Sequence, residues 1–444
     1  MLNDILTVVG VLGILSMLVV AVVKSERFFY VMLIVKPFID ITVNSTIVAG
    51  FNALELSAGL IFFMALIKYF ALKDKSTLYN HFVIWFFIFL QVLSYLLALN
   101  QGEQTMLWGI KFFLKLFDSY FIYFLAATEL LNTNKNRIEV YKNIWITTLC
   151  MGVITIIIYY TGLSNSDTSK GFVRYNGLYN DPGTPSYLAV VSLLYMLLHS
   201  ELIGKKKTFL YQTLVYSSWA ISLFILYITV TKSALLMFVV FIFLWFGVFK
   251  KQFIFILPAL VIGAFLSYIN ISGIETRFET EVTFIESGDT ETARSLGTGR
   301  VTRWENLLND FNNKFDLPTQ LLGTSKNFTA HNQYLAYLMQ VGIFGLGAFL
   351  IIIFRFTKRL IEITAKKSNP EIFAALTLLM MYCVYSFTGH PFDYTTLLWY
   401  LMILLANINV YENAIRQAKR AILKKKSTLS DKTFNTKQNP SLTI

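Results

Sequence analysis

Charged residues and cysteines are both scarce in this sequence. Only 14% of its 444 residues are Asp, Glu, Lys or Arg, whereas 55% are hydrophobic. Soluble globular domains carry about 25% charged residues, so this composition excludes an ordinary soluble protein. The two cysteines, Cys150 and Cys383, fall at or inside apolar stretches, and no group of His, Cys and acidic residues has metal-ligand spacing. We therefore expect no disulfide, no metal site and no cofactor.

Long apolar runs make up most of the chain. A run of about 18 or more residues without charge is typical of a membrane-spanning helix. Ten runs meet or approach this length and three more contain ionisable residues, which predicts an all-α polytopic integral membrane protein with about thirteen transmembrane helices, between roughly twelve and fourteen. The predicted spans, which form one transmembrane domain over residues 1–411, are Ile5–Val23, Phe28–Val48, Leu54–Leu72, Phe82–Leu99, Met106–Ala127, Ile144–Leu163, Thr184–Leu198, Phe209–Val230, Ser233–Phe249, Gln252–Ile271, Gln333–Phe354, Ile372–Thr388 and Tyr394–Val410.

Basic residues predict which side of the membrane each connection occupies. Short cytoplasmic loops retain Lys and Arg, and connections rich in them alternate with connections that have few. This alternation predicts an external N-terminus and a cytoplasmic C-terminus. The first run has no preceding basic residues and no small-residue cleavage site, so we interpret it as a permanent span and not as a secretory signal. Residues 412–444, with eight basic and two acidic residues, are expected to form a flexible cytoplasmic tail.

The net charge of +12 follows from this topology and implies no nucleic-acid partner. Within the tail, Lys424–Lys426 either contacts anionic membrane lipid or stays solvated. Two polar segments, residues 164–183 and 272–330, are predicted to be external loops. In the larger loop, Thr302–Phe315 has the apolar spacing of an amphipathic helix on the outer membrane surface. The glycines at Gly297–Gly299 are expected to break the chain before this helix, and Pro318 and Gly323 to end it.

Candidate catalytic residues come from these two external loops. His331 follows the larger loop, and histidine transfers protons near neutral pH. Arg174 lies in the smaller loop, and arginine binds phosphate oxygens through two parallel hydrogen bonds. Arg300 and Arg303 flank the start of the surface helix and are further candidates for anion binding. The alternatives are an interfacial histidine, a solvated loop arginine, and helix arginines that contact lipid headgroups; His390 is a weaker external candidate.

Charges also occur inside predicted spans, where they are rare and usually functional. Lys36 and Asp40 share one helix face at four-residue spacing. Lys111, Lys115 and Asp118 share a face of another span, where the lysines bind an anionic headgroup or Lys115 pairs with Asp118.

A further cation lies between two spans. Lys232 at this junction is either a substrate cation or an interfacial lysine whose ammonium reaches water. A set of external cations suits a lipid-linked diphosphate that is attacked by a hydroxyl, because cations neutralise the leaving group. The predicted set is Arg174, Lys232, Arg300, Arg303, Lys111 and Lys115.

Three sequence blocks resemble the bacterial O-antigen polymerase and O-antigen ligase family (Wzy-like). The first is an external Arg-x-x-Gly segment that ends in Asn-x-Pro, and the second is a Thr-x-Ser block at the start of a span. The third begins with Gly-Arg, continues through Trp, Leu-Gly and His-Asn-x-Tyr-Leu, and ends with Gly-x-x-Gly. These blocks are Arg174–Pro182, Thr231–Ala234, and the series Gly299-Arg300, Trp304, Leu322-Gly323, His331–Leu335 and Gly342–Gly345.

The resemblance implies transfer of a glycan from undecaprenyl diphosphate to an acceptor hydroxyl at the outer face of the bacterial cytoplasmic membrane. It implies that Arg174 binds the diphosphate or the adjacent sugar, that His331 orients or deprotonates the acceptor, and that Arg300 supports the loop or the anion. Asn332 is placed with the substrate-binding residues. No nucleotide sugar, metal or cofactor is implied. The chain departs from the family where an arginine is expected and Ala234 stands instead, so Lys232 is the replacement cation or that position is dispensable.

Three functions fit this resemblance. A polymerase joins lipid-linked repeat units, as for O-antigen, capsule or exopolysaccharide. We favour a polymerase because polymerase sequences diverge most within the family, and the block Thr231–Ala234 departs from the family pattern. A ligase instead moves the glycan to a lipid or protein acceptor. A flippase of lipid-linked oligosaccharide is disfavoured because no repeated halves are found, and the charges inside spans argue against a passive structural protein. A chain-length regulator and a flippase are the expected protein partners.

Overall fold

A computed structural model describes twelve parts of the chain and leaves gaps between them. The predicted span Gln252–Ile271, apart from its first residue, and the start of the large polar loop at residues 272–289 lie outside the described residues. The described residues are 2–42, 46–48, 51–71, 78–102, 104–169, 172–179, 181, 183–204, 208–229, 231–252, 290–326 and 330–437.

Helices dominate the described residues. A 3₁₀ turn at Ser25–Arg27 precedes α2, and π-helical turns at Ala126–Leu130 and Phe243–Phe249 continue α5 and α9. The helices are α1 (Leu2–Val23), α2 (Phe28–Asp40), α3 (Ala53–Ala71), α4 (His81–Asn100), α5 (Met106–Leu125), α6 (Asn134–Tyr160), α7 (Gly183–Ile203), α8 (Phe209–Thr229), α9 (Lys232–Ile242), α10 (Thr290–Asn313), α11 (Leu317–Leu322), α12 (Gln333–Lys366), α13 (Pro370–Tyr385), α14 (Thr395–Leu405) and α15 (Asn407–Lys437).

Eight helices in the described part of the chain are long and apolar enough to cross a membrane. They are α1, α3, α4, α6, α7, α8, α12 and the continuous segment formed by α9 and its π-helical turn. The protein is therefore a multi-pass membrane protein, as its composition predicts. Four other predicted spans coincide with helices that are shorter, namely α2, α13 and α14, or that carry three charges, namely α5. The total of about thirteen stays a prediction.

Two short hairpins interrupt the helical architecture. Strands β1 (Thr46–Val48) and β2 (Phe51–Asn52) pair antiparallel after α2. The predicted span Phe28–Val48 is therefore wrong in extent, because its helix ends at Asp40 and strand β1 follows. Strands β3 (Asn165–Ser169) and β4 (Phe172–Gly177) form a second antiparallel hairpin inside the smaller polar loop.

The surface helix is longer than predicted. It begins at Thr290 and runs through the glycines at residues 297–299, so the predicted break before Thr302 is wrong. A glycine in a helix interior costs only about 1 kcal/mol relative to alanine, which a helix of 24 residues can bear. The helix ends at Asn313, before Pro318, which instead lies in the first turn of α11.

Two glycines allow the backbones of α11 and α12 to pack in direct contact. Gly323 and Gly342 have φ angles of 81° and 68°, which residues with a side chain rarely adopt. A Cβ atom at Gly323 would lie 2.2 Å from the carbonyl carbon of Gln340, and one at Gly342 would lie 2.3 Å from that of Leu321. The backbones therefore approach as closely as possible, and α12 is kinked at Gly342. This contact fixes the start of α12, where His331 lies.

The tail does not begin as an irregular segment. Residues 412–437 continue α15 and are helical, and the flexibility expected for the tail stays a prediction. Glu412 supports the start of this region because it accepts hydrogen bonds from Arg359 at 2.9 Å and forms an ion pair with Arg416 one turn later. The basic tail is therefore a helix, at least as far as Lys437.

Candidate active site

The backbone at His331 is held between two helices. Trp304 of α10 donates its indole N–H to the carbonyl oxygen of Ala330 at 2.7 Å. On the other side, the side chain of Asn332 accepts the N–H of Leu335 at 3.0 Å and so caps the N-terminus of α12. His331 itself has a φ angle of +48°, in the left-handed region, and its side chain is exposed. The fold thus holds His331 in an unusual backbone conformation immediately before a helix.

A second imidazole faces the first. The rings of His331 and His390 have centroids 6.5 Å apart. His390 lies in the loop between α13 and α14, and its Nδ1 is 3.6 Å from a carboxylate oxygen of Asp393. Gln333 ties the two regions together, since its N–H donates to Ser386 O at 2.8 Å and its side-chain oxygen accepts the N–H of the residue before Asp393 at 3.2 Å. The histidine pair is therefore part of one hydrogen-bonded unit.

The environment favours a neutral His331. Desolvation lowers the pKa of His331 below its ordinary value, and the positive charges of Arg300, Arg303 and His390 lower it further, while Asp181 opposes them. Burial likewise lowers the pKa of His390, whereas the negative charge of Asp393 raises it. A neutral imidazole can accept a proton, so His331 is suited to act as a general base.

Arg300 lies at the centre of the cationic group. Burial lowers the pKa of Arg300, and the positive charges of Arg174 and Arg303 lower it further. Tyr187 and Tyr385 have the opposite effect and raise it. The rings of these two tyrosines have centroids 3.8 Å apart. Arg300 therefore lies near an aromatic wall and near two other arginines. An anion with two or more charged oxygens would relieve this mutual repulsion.

Arg174 reaches this group from strand β4. It pairs in register with Asp167 on β3, and the next residue, Tyr175, packs its ring edge-on against Tyr159 of α6 with centroids 4.6 Å apart. The strand ends at Gly177, whose N–H donates to the hydroxyl of Ser164 at 3.0 Å. The hairpin, which the sequence pattern did not predict, thus holds Arg174 at a defined place on the helix bundle.

Asp181 is a further member of the site that the sequence pattern did not predict. Its carboxylate accepts the backbone N–H of Thr184 at 3.0 Å and the hydroxyl of Thr184 at 2.7 Å, which caps the start of α7. Asp181 also acts electrostatically on His331. An Asp three residues before a Thr and next to a helix start is a capping signal that the sequence did contain. Its proximity to a histidine 150 positions later needed the tertiary fold.

The remaining predicted cations are Lys232, Lys111 and Lys115. Lys232 is the first residue of α9, and the adjacent Ser233 hydroxyl lies 2.6 Å from that of Tyr187. Lys111 forms an ion pair with Glu55 at 3.0 Å and lies over the ring of Phe51, so it already has an anionic partner. Lys115 belongs to α5, but its side chain lies outside the described residues.

A cavity of about 430 Å³ reaches Asp393, the partner of His390. Its polar lining also includes Glu55, Gln91, Ser94, Lys111, Ser119, Ser325, Gln340 and Thr395. The apolar lining consists of Ile84, Phe87, Ile88, Phe112, Leu116, Val341, Phe349, Ile352, Ile353, Phe356, Leu379, Phe392, Leu398, Leu401, Met402 and Leu405. A lining of both kinds can hold an amphipathic ligand.

Comparison with known families identifies part of this region. Residues 218–350 match the family described as O-antigen ligase (Wzy_C). The match covers Arg300, Arg303 and His331 but begins after Arg174 and ends before His390. No match is found among curated proteins. Residues 218–350 of this multi-pass membrane protein, less than half of the chain, are therefore similar to the O-antigen ligase (Wzy_C) domain of the Wzy-like polymerase and ligase family.

Proposed function

We propose that the protein polymerises undecaprenyl-diphosphate-linked oligosaccharide repeat units at the outer face of the bacterial cytoplasmic membrane. The observation that carries this proposal is that Arg300 and Arg303 act electrostatically on His331, while Arg174 acts on Arg300. Three cations beside one neutral imidazole suit the attack of a hydroxyl on a sugar that leaves a diphosphate behind.

In the proposed reaction, the acceptor hydroxyl oxygen bonds to the anomeric carbon of the donor glycan. The bond between that carbon and the diphosphate oxygen breaks, and the electron pair leaves with undecaprenyl diphosphate. The imidazole of His331 takes the hydroxyl proton, and Arg174 and Arg300 hold the charge that develops on the diphosphate. All reacting groups are then supplied by side chains and the two substrates.

The cavity beside Asp393 would hold a lipid chain of one of the substrates. Its lining includes the polar residues Ser325, Lys111 and Asp393, and most of the other lining residues are apolar. A polyprenyl chain in this cavity would bring its diphosphate towards the histidine loop. The ion pair of Lys111 with Glu55 makes Lys111 a wall residue in this proposal, although it was first predicted to bind the headgroup.

The proposed topology has an external N-terminus, a cytoplasmic C-terminus and about thirteen spans. It is supported by the distribution of basic residues, and it brings all the loops of the candidate site to the same side of the membrane. The helix starts at Ala53, Met106, Gly183, Gln333 and Thr395 would then all face outwards.

A ligase is the second candidate, because the matched family is described as O-antigen ligase. The two functions differ in the acceptor, which is another lipid-linked repeat unit for a polymerase and a lipid or protein for a ligase. Ala234, which stands where the family has an arginine, is buried and sits beside the Ser233–Tyr187 contact. This departure from the family pattern favours the more divergent polymerases.

Purified protein in detergent, supplied only with lipid-linked repeat units, would distinguish these functions. We expect a ladder of products that contain two or more repeat units. Transfer only after a lipid or protein acceptor is added would indicate a ligase. Movement of the substrate across vesicles without any lengthening would indicate a transporter and would exclude both transferases.

A further inference from the structure

A buried ion pair connects α2 to α14. Lys36 is 1% exposed and Asp40 is 7% exposed, and the two side chains form a salt bridge. Thr396, in the first turn of α14, donates its hydroxyl to the second oxygen of Asp40 and accepts a hydrogen bond of 3.3 Å from Lys36. The ammonium of Lys36 also lies 5.1 Å from the ring centre of Trp399. The single positive charge of this group is therefore already neutralised by Asp40.

A second carboxylate near this pair has no such partner. Asp118 of α5 is fully buried, and both of its carboxylate oxygens lack a hydrogen bond to any residue that the structure describes. Lys36 is the charged group that acts on Asp118, and it is occupied by Asp40. Among the other charges of α3 and α5, Lys111 pairs with Glu55, and Lys68 pairs with Glu129.

Among the side chains that the structure describes, Asp40 and Asp118 thus share Lys36 as their cation. An ionised carboxylate without a partner is strongly unfavourable in a low-dielectric interior, and protonation is the usual way to remove its charge. A protonated Asp118 leaves the group neutral, with one lysine and one ionised aspartate. It also gives Asp118 a donor as well as an acceptor.

Unpaired hydroxyls extend this buried group towards the histidines. The hydroxyls of Tyr179 and Tyr394 are buried and have no hydrogen-bond partner among the described residues. The charges of Asp40 and Asp181 both act on these two tyrosines. The tyrosines are therefore electrostatically linked both to the ion pair and to the aspartate that acts on His331. Several unsatisfied polar groups in one region indicate internal water.

We propose that Asp118 holds a proton inside the membrane domain. Internal water beside the hydroxyls of Tyr179 and Tyr394 exchanges this proton with the site around His331. The ligand of the buried site is thus a proton together with water. This inference does not rest on the proposed glycan chemistry, and it assigns a role to charges that the transfer reaction does not use.

Infrared spectroscopy of the purified full-length protein at neutral pH tests this proposal. A protonated carboxyl group has a C=O stretch that is separate from the bands of ionised carboxylates. We expect this band in the wild type and its loss in Asp118→Asn. Asp40→Asn frees Lys36 to pair with Asp118 and should also remove the band, whereas Asp310→Asn, which removes an exposed carboxylate paired with Lys314, is the control that should retain it. Lys115→Met should also retain the band. Absence of the band in the wild type, or no change in Asp118→Asn, would show an ionised Asp118 and overturn the proposal.

A second variant keeps the proposal testable if Asp118→Asn does not fold. Lys36→Met removes the cation, so Asp40 should also take up a proton and a second carboxyl band should appear; one unchanged band would contradict the proposed electrostatics. In D₂O the Asp118 band should shift, and it should shift more slowly in Tyr394→Phe, whereas equal rates would exclude the tyrosine route. Sodium is the competing ligand. If NaCl raises the Tm of the wild type but not of Asp118→Asn, and the carboxyl band is absent, a sodium site replaces the proton site.

Discussion

His331 and His390 lie 59 positions apart in the sequence, yet their rings lie 6.5 Å apart at the ends of three helices. The two histidines differ in their partners. His390 lies beside Asp393, Arg300 acts on both rings, and Arg303 acts on His331. His331 is exposed, whereas His390 is half-buried. We therefore propose the general-base role for His331 and a supporting position for His390.

Replacement of His331 should stop polysaccharide extension. In His331→Ala no group would take the acceptor proton, and loss of a general base reduces rates by about 10²–10⁴-fold. Cells should therefore lose long-chain polysaccharide while the amount of the protein in the membrane stays the same. The measurement is a gel of polysaccharide length together with an immunoblot of membranes. Normal chain length in this variant would remove His331 from the mechanism.

The pH dependence of transfer should respond to two charges near His331. The base must be neutral, so activity should fall as pH decreases through the lowered pKa of His331. Asp181 raises this pKa and Arg303 lowers it. Asp181→Asn should therefore move the acid limb of kcat/KM to lower pH, and Arg303→Gln should move it to higher pH. Asn caps helices about as well as Asp, so the fold at Thr184 should be preserved.

Opposite shifts in these two variants are specific to electrostatic control of one imidazole. A purely structural effect would lower kcat/KM at every pH and leave the midpoint of the acid limb in place. Shifts in the same direction, or no shift in either variant, would show that His331 is not the group that titrates.

The proposed topology predicts where labels can reach the chain. Asn309 on α10 is exposed and should face outwards, whereas Lys24, between α1 and α2, should face the cytoplasm. With Cys150 and Cys383 replaced by Ala, a membrane-impermeant maleimide should label Asn309→Cys in intact spheroplasts. It should label Lys24→Cys only after permeabilisation. The reverse pattern would place the candidate site on the cytoplasmic side.

The glycine contact between α11 and α12 should be intolerant of a methyl group. Gly323→Ala and Gly342→Ala would each force a Cβ to within about 2.3 Å of backbone atoms and would also strain a positive φ angle. Strain of this kind costs about 1–3 kcal/mol, so the Tm should fall. Gly347→Ala is the matched control on α12, because a Cβ there meets nothing within 4 Å. Equal Tm values for the three variants would contradict the packing described.

The sequence predicted the spans that are long and apolar, because hydrophobic length alone decides whether a segment can cross a membrane. It misjudged the segment after Phe28, where the helix stops at Asp40 and a hairpin follows. It also missed the hairpin that carries Arg174, because Asn165–Ser169 is a polar strand without the alternation of a half-buried one. A local sequence pattern cannot reveal a strand that forms mainly through its pairing with a partner strand.

The candidate site was only partly predictable for a related reason. Arg174, Arg300 and His331 could be chosen by residue type, loop position and motif. Asp181 was not chosen, because its sequence signal is that of a helix cap and its effect on His331 exists only in three dimensions. Lys111 was chosen for its charge inside a span, but its partner Glu55 lies on another helix.

The most direct test of the central claim is the affinity of the purified protein for undecaprenyl diphosphate. A hydrogen bond to a charged group contributes about 1.5–3 kcal/mol, so Arg174→Ala and Arg300→Ala should each weaken Kd by at least about tenfold. Arg416→Gln, an exposed arginine of α15, is the control. His331→Ala should bind like the wild type, because His331 acts on the acceptor. An unchanged Kd in both Arg174→Ala and Arg300→Ala would contradict the account.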